Sequence, residues 1–125
     1  MICDSNIVIY AANPDDKVCR EILAKSSATI ASITRIEVLG FPGFKNMSLE
    51  SQQRLHFLLS SLDIIQLTSS IIERAILLRQ QKRMSVADAV VAGTALTHSM
   101  PLATRNTDDF KHIKDIRLFD PFTDT

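Results

Sequence analysis

The sequence has 125 residues, of which 46% are hydrophobic and 22% charged, and its 14 basic and 14 acidic side chains balance to a formal charge of zero. This length predicts a single domain over residues 1–125 that buries its own core. Zero net charge argues against a broad electrostatic surface for nucleic acid, although it leaves a local basic patch open. No apolar run approaches the ~20 residues of a membrane span, and the N-terminus lacks the pattern of a signal peptide. We therefore expect a cytoplasmic protein.

Predicted strands and helices alternate along the chain. The predicted elements are a strand over 1–4, a helix from Ser5, a helix over 15–25, a strand over 28–31, helices over 33–39 and 49–62, a strand over 64–67, helices over 70–82 and 85–98, and strands over 102–104 and 117–119. This alternation predicts an α/β fold, with a mostly parallel central sheet of four to five strands flanked by helices on both faces. Ligands of such sheets bind beyond the carboxyl ends of the strands.

Local patterns refine two of these elements. Ser70 and Glu73 have the spacing of a capping box, which predicts the start of the helix over 70–82. Cys3 falls in a predicted strand and Cys19 in a predicted helix. This placement favours two packed, reduced thiols over a disulfide.

Three acidic residues stand where a strand ends or a helix begins. Asp4 ends the first strand, and Glu37 and Asp88 each follow a hydroxyl residue by three positions. Taken singly, each fits a helix cap, because oxygen side chains accept the free N–H groups of a first turn. Taken together at one edge of a sheet, they would repel and raise one another's pKa. A hard divalent cation removes that conflict, and Mg²⁺ held by few carboxylates favours phosphate chemistry. Both interpretations remain open on spacing alone.

A more specific signal comes from four segments, which are "DSNIVIY" at 4–10, "SITRIEVL" at 32–39, "SVADAVVAGTAL" at 85–96 and "LATRNTDDF" at 102–110. In this order and at these separations they resemble the PIN-domain family, and within it the compact VapC-type toxins of prokaryotic toxin–antitoxin pairs. The resemblance covers nearly the whole chain. It implies a PIN-like fold, ribonuclease activity that depends on Mg²⁺ or Mn²⁺, an RNA substrate, a cognate antitoxin and a homodimer.

The resemblance also assigns residues by motif. Asp4, Glu37 and Asp88 match the acidic positions that bind the metal and serve catalysis in the family. In this assignment Asp4 and Asp88 are the main ligands, while Glu37 binds metal directly or through water and orients the nucleophile. Thr34 matches a hydroxyl position near the site and is assigned to substrate binding.

The chain departs from the family pattern at the fourth acid. Asn106 stands directly after "TR", where members often have Asp, and would offer a neutral carbonyl oxygen to metal or substrate. Asp109, just before Phe110, matches another acidic position and is assigned as the fourth catalytic acid. Asp108 is interpreted as a solvated neighbour. Whether Asn106 or Asp109 completes the cluster is left open by the motif.

Basic residues could supply contacts to RNA. Arg35, Arg79, Lys82 and Arg83 either line an RNA groove or belong to solvated helix faces, and Arg105 is expected to brace the site.

Two other functions are weighed against a nuclease. A non-catalytic RNA- or protein-binding module with a decayed site would have lost an acid at position 4, 37 or 88, and none is lost. A Mg²⁺-dependent phosphotransfer or receiver-type domain would need an Asp at the end of the third strand, whereas "IIQL" at 64–67 ends without an acid. The sequence therefore favours a metal-dependent endoribonuclease.

Overall fold

The computed structural model describes residues 1–25 and 27–124. The strands in this part of the chain are β1 (Ile2–Cys3), β2 (Thr29–Ala31), β3 (Asp63–Ile65), β4 (Leu102–Ala103) and β5 (Leu118–Phe119). The α-helices are α1 (Ser5–Ala11), α2 (Lys17–Ala24), α3 (Ser32–Leu39), α4 (Leu49–Ser60), α5 (Ser69–Gln81) and α6 (Val86–Thr97). Short 3₁₀ turns cover Phe44–Asn46 and Thr107–Asp109.

All five strands form one sheet in the order β3-β2-β1-β4-β5, and every neighbouring pair is parallel. From β1 the chain moves outward through β2 to β3, and then returns to β4 on the other side of β1. The strand order therefore reverses between β1 and β4. This confirms the predicted α/β fold, and it identifies the crevice beyond these two strands as the place where such sheets bind ligands.

The two faces of the sheet carry separate cores because alternate residues of a strand point in opposite directions. In β1, Cys3 packs with residues of α1, α2 and α4, whereas Ile2 packs with residues of α5 and α6. Their register partners in β4, Ala103 and Leu102, follow the same division. Helix α3 lies at the carboxyl ends of the strands, where it contacts α1, α4 and α6.

A glycine allows α5 and α6 to pack closely. A Cβ added to Gly93 of α6 would lie 3.3 Å from the carbonyl oxygen of Ile71 and 3.5 Å from the backbone nitrogen of Ala75. Both atoms belong to the backbone of α5 and cannot swing aside. A larger residue at position 93 would therefore push the two helices apart.

The predicted capping box of α5 is wrong, and the cap interpretation of Glu37 in α3 is not supported. The cap of α5 is Thr68, whose hydroxyl accepts the Ile71 N–H at 3.3 Å, so that Ser70 lies inside the helix. Helix α3 begins at Ser32 after Ala31, which provides no side-chain cap. The Thr34–Glu37 spacing is therefore internal to a helix.

Most element boundaries differ from the predictions by one or two residues, and two of the differences have a clear physical reason. Strand β3 spans Asp63–Ile65 because Ile64 and Ile65 pair with Ile30 and Ala31, while Leu67, predicted as its end, lies beyond the strand and is exposed. Helix α2 starts at Lys17 because the Asp16 carboxylate accepts the Cys19 N–H at 3.1 Å and caps the first turn.

Two expectations about the whole chain can be compared with the described residues. Cys3 and Cys19 are both free and buried, which confirms the prediction of packed thiols. The longest helix there, α5, has 13 residues. No helix of the described part has the length and apolarity needed to cross a membrane.

Candidate active site

Asp4 lies at the reversal of strand order, directly after β1, and is 9% exposed. Its N–H donates to the carbonyl of Ala103 at 3.1 Å, which holds its backbone beside β4. One carboxylate oxygen, Oδ1, accepts the Ile7 N–H at 3.1 Å and caps α1. The other, Oδ2, accepts a hydrogen bond from the Thr104 hydroxyl. Asp4 is therefore a helix cap, and its carboxylate also lies in the crevice.

Thr104 organises the end of β4, although sequence reasoning gave it no role. It is fully buried, and its hydroxyl oxygen also accepts the Asn106 N–H at 3.0 Å. One hydroxyl thus connects the backbone of Asn106 to the carboxylate of Asp4. A Thr two residues before an Asn at a strand end fits a hydroxyl-stabilised turn, which is the one local signal that pointed to it.

The pKa of Asp4 is raised above its ordinary value, chiefly because burial disfavours the charged carboxylate. The hydrogen bonds from Thr104 and Ile7 oppose this rise by stabilising the charged form, and the nearby charge of Asp88 adds to it. Burial outweighs the hydrogen bonds, so that Asp4 is an ionisable group in an unfavourable environment.

Glu37 reaches the same cluster from α3. Its pKa is raised first by burial and next by the charge of Asp88, with a further contribution from Asp4. A hydrogen bond with the Ser5 side chain lowers it in part. Ser5 is a second residue that sequence reasoning missed, since nothing local in "DSN" indicates a bond to α3.

Asp88 is the third residue of α6, and its N–H donates to the Ser85 hydroxyl at 3.0 Å. Ser85 is therefore the cap, and the carboxylate of Asp88 does not cap the helix. Burial raises the pKa of Asp88, the charge of Asp109 raises it further, and a hydrogen bond with Ser85 opposes both. Asp109 itself is exposed at the end of the turn after β4.

The four assigned acids thus interact electrostatically in pairs, linking Asp4, Glu37, Asp88 and Asp109. They do not form a closed ligand set, because no group of three His, Cys, Asp or Glu side chains in residues 1–25 and 27–124 is arranged to hold a metal ion. Neither ion pair of the described chain neutralises them, as these join Arg54 to Glu50 and Lys111 to Asp108.

Three observations indicate that the cluster is suited to bind a divalent cation. The donors are hard carboxylate and hydroxyl oxygens, which Mg²⁺ and Mn²⁺ prefer. The pKa values of Asp4, Glu37 and Asp88 are raised first by burial and then by neighbouring carboxylates, and no basic side chain is among the groups that oppose the rise. Thr34, one helical turn before Glu37, is fully buried, and its hydroxyl has no hydrogen-bond partner among the described residues. Such a group costs about 1–3 kcal/mol unless water or a ligand satisfies it.

The other assigned polar residues lie at the rim or outside the cluster. Asn106 is exposed and held by its N–H. Asp108 is exposed and paired with Lys111 at 2.9 Å, a contact that lowers its pKa. Arg79 donates to the Met84 carbonyl at 3.0 Å and so holds the α5–α6 turn.

The residues described so far define a class of protein, an α/β sheet with an acidic cluster beyond its carboxyl edge. The sequence model of the PIN domain matches residues 1–116, and the chain belongs to the PIN-domain family. No curated protein sequence matches the chain.

Solved structures give the same result. A toxin–antitoxin complex from Klebsiella pneumoniae contains a chain that is 31% identical, with a TM-score of 0.77 and 96% of each chain covered. VapBC2 from Rickettsia felis, bound to a DNA fragment from its promoter, is 26% identical, with a TM-score of 0.79 and coverage of 94% of this chain and 96% of that one. FitAcB from Neisseria gonorrhoeae, at 21% identity, shares the fold with a TM-score of 0.77 over 98% of each chain. These findings confirm the predicted VapC-type PIN domain, a family whose membership implies nuclease activity.

Proposed function

We propose that this protein is the toxin ribonuclease of a toxin–antitoxin pair and cleaves RNA internally with the help of Mg²⁺ or Mn²⁺. The observation that carries the proposal is the cluster of Asp4, Glu37 and Asp88, whose pKa values are raised and whose charge has no basic partner in the described chain. Asp4, Glu37 and Asp88 would hold the cation, and Asp109 would complete the catalytic acids. Residues 1–125 would act as one PIN-like domain in the cytoplasm.

When bound, the cation would act as a Lewis acid on the scissile phosphate and lower the pKa of a bound water. The chain itself positions the oxygens. Asp4 is oriented by the Ile7 N–H and the Thr104 hydroxyl, so that its carboxylate has little rotational freedom. Glu37, with its raised pKa, suits a residue that accepts a proton from an attacking water. Asp88 is fixed on the first turn of α6.

Thr34 and Asn106 would contact the substrate side of the cluster. The Thr34 hydroxyl is buried next to Glu37 on α3 and needs a partner. The Asn106 side chain is exposed at the rim, while its backbone is held by Thr104. These two positions offer neutral oxygen and nitrogen groups to a phosphate or a ribose without adding charge.

The same proposal includes an antitoxin and a second copy of the chain. The similar structures are named as toxin–antitoxin complexes, which supports a protein partner. An amphipathic helix of the antitoxin would dock along the early helices, where Phe57 on α4 is 72% exposed and Ile36 on α3 is 71% exposed. Light scattering with and without the neighbouring gene product tests both expectations, and a strict monomer without a partner would contradict them.

The test of function is RNA cleavage by the purified protein. We expect cleavage with Mg²⁺ or Mn²⁺, none with chelator, and a rate loss of at least ~10²-fold for Asp4→Asn, because metal charge stabilisation is worth several kcal/mol. The matched control is Asp63→Asn, which makes the same change at an exposed acid. Asp63 is the first residue of β3 and lies at the amino ends of the strands, away from the cluster. Full activity of Asp4→Asn, or equal activity with chelator, would refute the nuclease. RNA binding without cleavage would favour a non-catalytic module.

A further inference from the structure

Arg105 occupies a fixed position beside the acidic cluster. It lies between Thr104, whose hydroxyl bonds to Asp4, and Asn106, whose N–H bonds back to Thr104. The backbone at position 105 is therefore tied on both sides. It sits at the carboxyl end of β4, on the crevice edge of the sheet.

Two aromatic rings position the Arg105 guanidinium. Its central carbon lies 4.0 Å from the ring centroid of Phe122 and 5.3 Å from that of Tyr10. Phe122 is itself held by a local turn, because its N–H donates to Asp120 Oδ1 at 2.9 Å. A guanidinium stacked on rings uses its faces, so that its N–H groups still point outward from the edges.

Those N–H groups are not used inside the described chain. Arg105 is exposed, it forms neither of the two ion pairs there, and no hydrogen bond from its side chain is present. Nor is it a counter-ion of the cluster, since it is not among the groups that shift the pKa of Asp4, Glu37 or Asp88. A cation held rigidly with free donors is suited to an anion from outside.

The location indicates which anion. Tyr10 lies six residues after Asp4 along α1, which at 1.5 Å per residue is about 9 Å along the helix axis. A group held near Tyr10 therefore lies outside the acidic cluster but close to it. The acids repel a polyanion, so a substrate of this kind needs a cationic contact near the cluster. One guanidinium group can donate two parallel hydrogen bonds to two oxygens of one phosphate.

We infer that Arg105 binds a backbone phosphate of single-stranded RNA next to the scissile one, with Tyr10 and Phe122 holding its guanidinium in place. The inference rests on the proposed ribonuclease function, and it assigns to one residue the backbone contact that the acids cannot supply. The competing role is a purely internal one, in which Arg105 only fastens the C-terminal turn to α1.

The test uses a fluorescein-labelled single-stranded oligoribonucleotide and four variants. Steady-state cleavage gives KM and kcat, and fluorescence anisotropy in an Asp88→Asn background gives affinity as a function of salt. For Arg105→Ala we expect KM to rise about 10-fold with kcat changed less than about threefold, and the salt slope of log K to fall by about one, as for a lost phosphate contact. Arg105→Lys should recover part of the affinity because it keeps the charge without the fork.

Two controls separate the contact from an internal fastening. Phe122→Leu removes the stacked ring and should raise KM only about twofold with an unchanged salt slope. Arg74→Gln alters an exposed arginine of α5 that lines a pocket with Met100 and Arg117, at the opposite edge of the sheet, and should change nothing. If Arg105→Ala keeps the wild-type salt slope, or if Arg105→Lys recovers none of the lost affinity, the inference fails while the nuclease stands. Wild-type protein without cleavage would instead refute the proposed function.

Discussion

The side chains of Asp4 and Thr104 are hydrogen-bonded to each other although 100 residues separate them in sequence. The bond joins the carboxyl ends of β1 and β4, which are only two residues long each. Strands this short make few ladder hydrogen bonds. A side-chain bond just beyond them therefore adds to the alignment of the two strands at the point where the acids gather.

Replacing Thr104 by Val should lower both stability and activity at mildly acid pH. The change leaves the buried Asp4 Oδ2 without this partner, which costs about 1–3 kcal/mol, and it also removes the bond to the Asn106 N–H. Because the Thr104 bond lowers the pKa of Asp4, its loss raises that pKa further and moves the acid limb of the pH–rate profile to higher pH. Urea unfolding and pH–rate profiles measure the two effects.

The conservative variant Thr104→Ser is the control for that experiment, since it keeps the hydroxyl. It should retain the wild-type acid limb and most of the stability. An acid limb that is identical in Thr104→Val and wild type would show that the hydroxyl does not position the Asp4 carboxylate.

Asp88→Asn should distinguish a metal ligand from a helix-terminus charge. A carboxylate in a first turn gains ~0.3–1 kcal/mol from the helix dipole, yet burial and Asp109 raise the pKa of Asp88, so the environment as a whole disfavours the charge. With chelator present, the variant should be as stable as wild type or more so. With Mg²⁺ at ~100 times its dissociation constant, wild type should gain about 2.7 kcal/mol and the variant far less.

Thermal melts with and without Mg²⁺ measure those gains, and Asp63→Asn should respond to Mg²⁺ as wild type does. Equal Mg²⁺-induced shifts in wild type and Asp88→Asn would return Asp88 to the role of a simple first-turn charge.

The free energy of unfolding should depend on pH in the direction set by these acids. The pKa values of Asp4 and Asp88 are raised from 3.8, and that of Glu37 from 4.5. The folded chain therefore holds these protons at a pH where the unfolded chain has released them. The contribution of these acids to the free energy of unfolding is fully present below their pKa values in the unfolded chain. It is lost as pH rises through their higher pKa values in the folded chain.

Urea unfolding with chelator, from about pH 4 upward, measures this loss, and the difference between wild type and Asp88→Asn isolates the share of Asp88. Saturating Mg²⁺ should reverse the loss. A difference that stays constant over the range would mean that Asp88 carries no raised pKa.

Sequence reasoning reached the sheet and the acids for different reasons. The alternation of strands and helices is visible in local hydrophobic patterns. The acids are assigned because they lie within segments that resemble those of a known family, such as "TRNTDDF". The roles of Thr104 and Ser5 were not visible, because their partners Asp4 and Glu37 lie on other elements. A pattern confined to one segment does not reveal such pairs.

The helix caps show a second limit. Three hydroxyl residues in a row, Thr68, Ser69 and Ser70, can each cap a helix, and the spacing to Glu73 favoured the wrong one. Packing decides between them, since Ile71 is fully buried and its N–H faces Thr68. Local preference narrows the start of a helix to within about one turn, and tertiary contacts of this kind then decide the residue at which it begins.

The close approach of α5 and α6 at Gly93 has a consequence for any random-mutagenesis screen for inactive chains. Asp88 stands on the same helix as Gly93, five residues earlier, so a displacement of α6 also shifts one corner of the acidic cluster. We expect Gly93→Ala to lower activity in such a screen, although the residue carries no functional group. Its rate should fall more than its melting temperature would suggest. A sequence survey that seeks inactive relatives by missing acids alone would overlook this position.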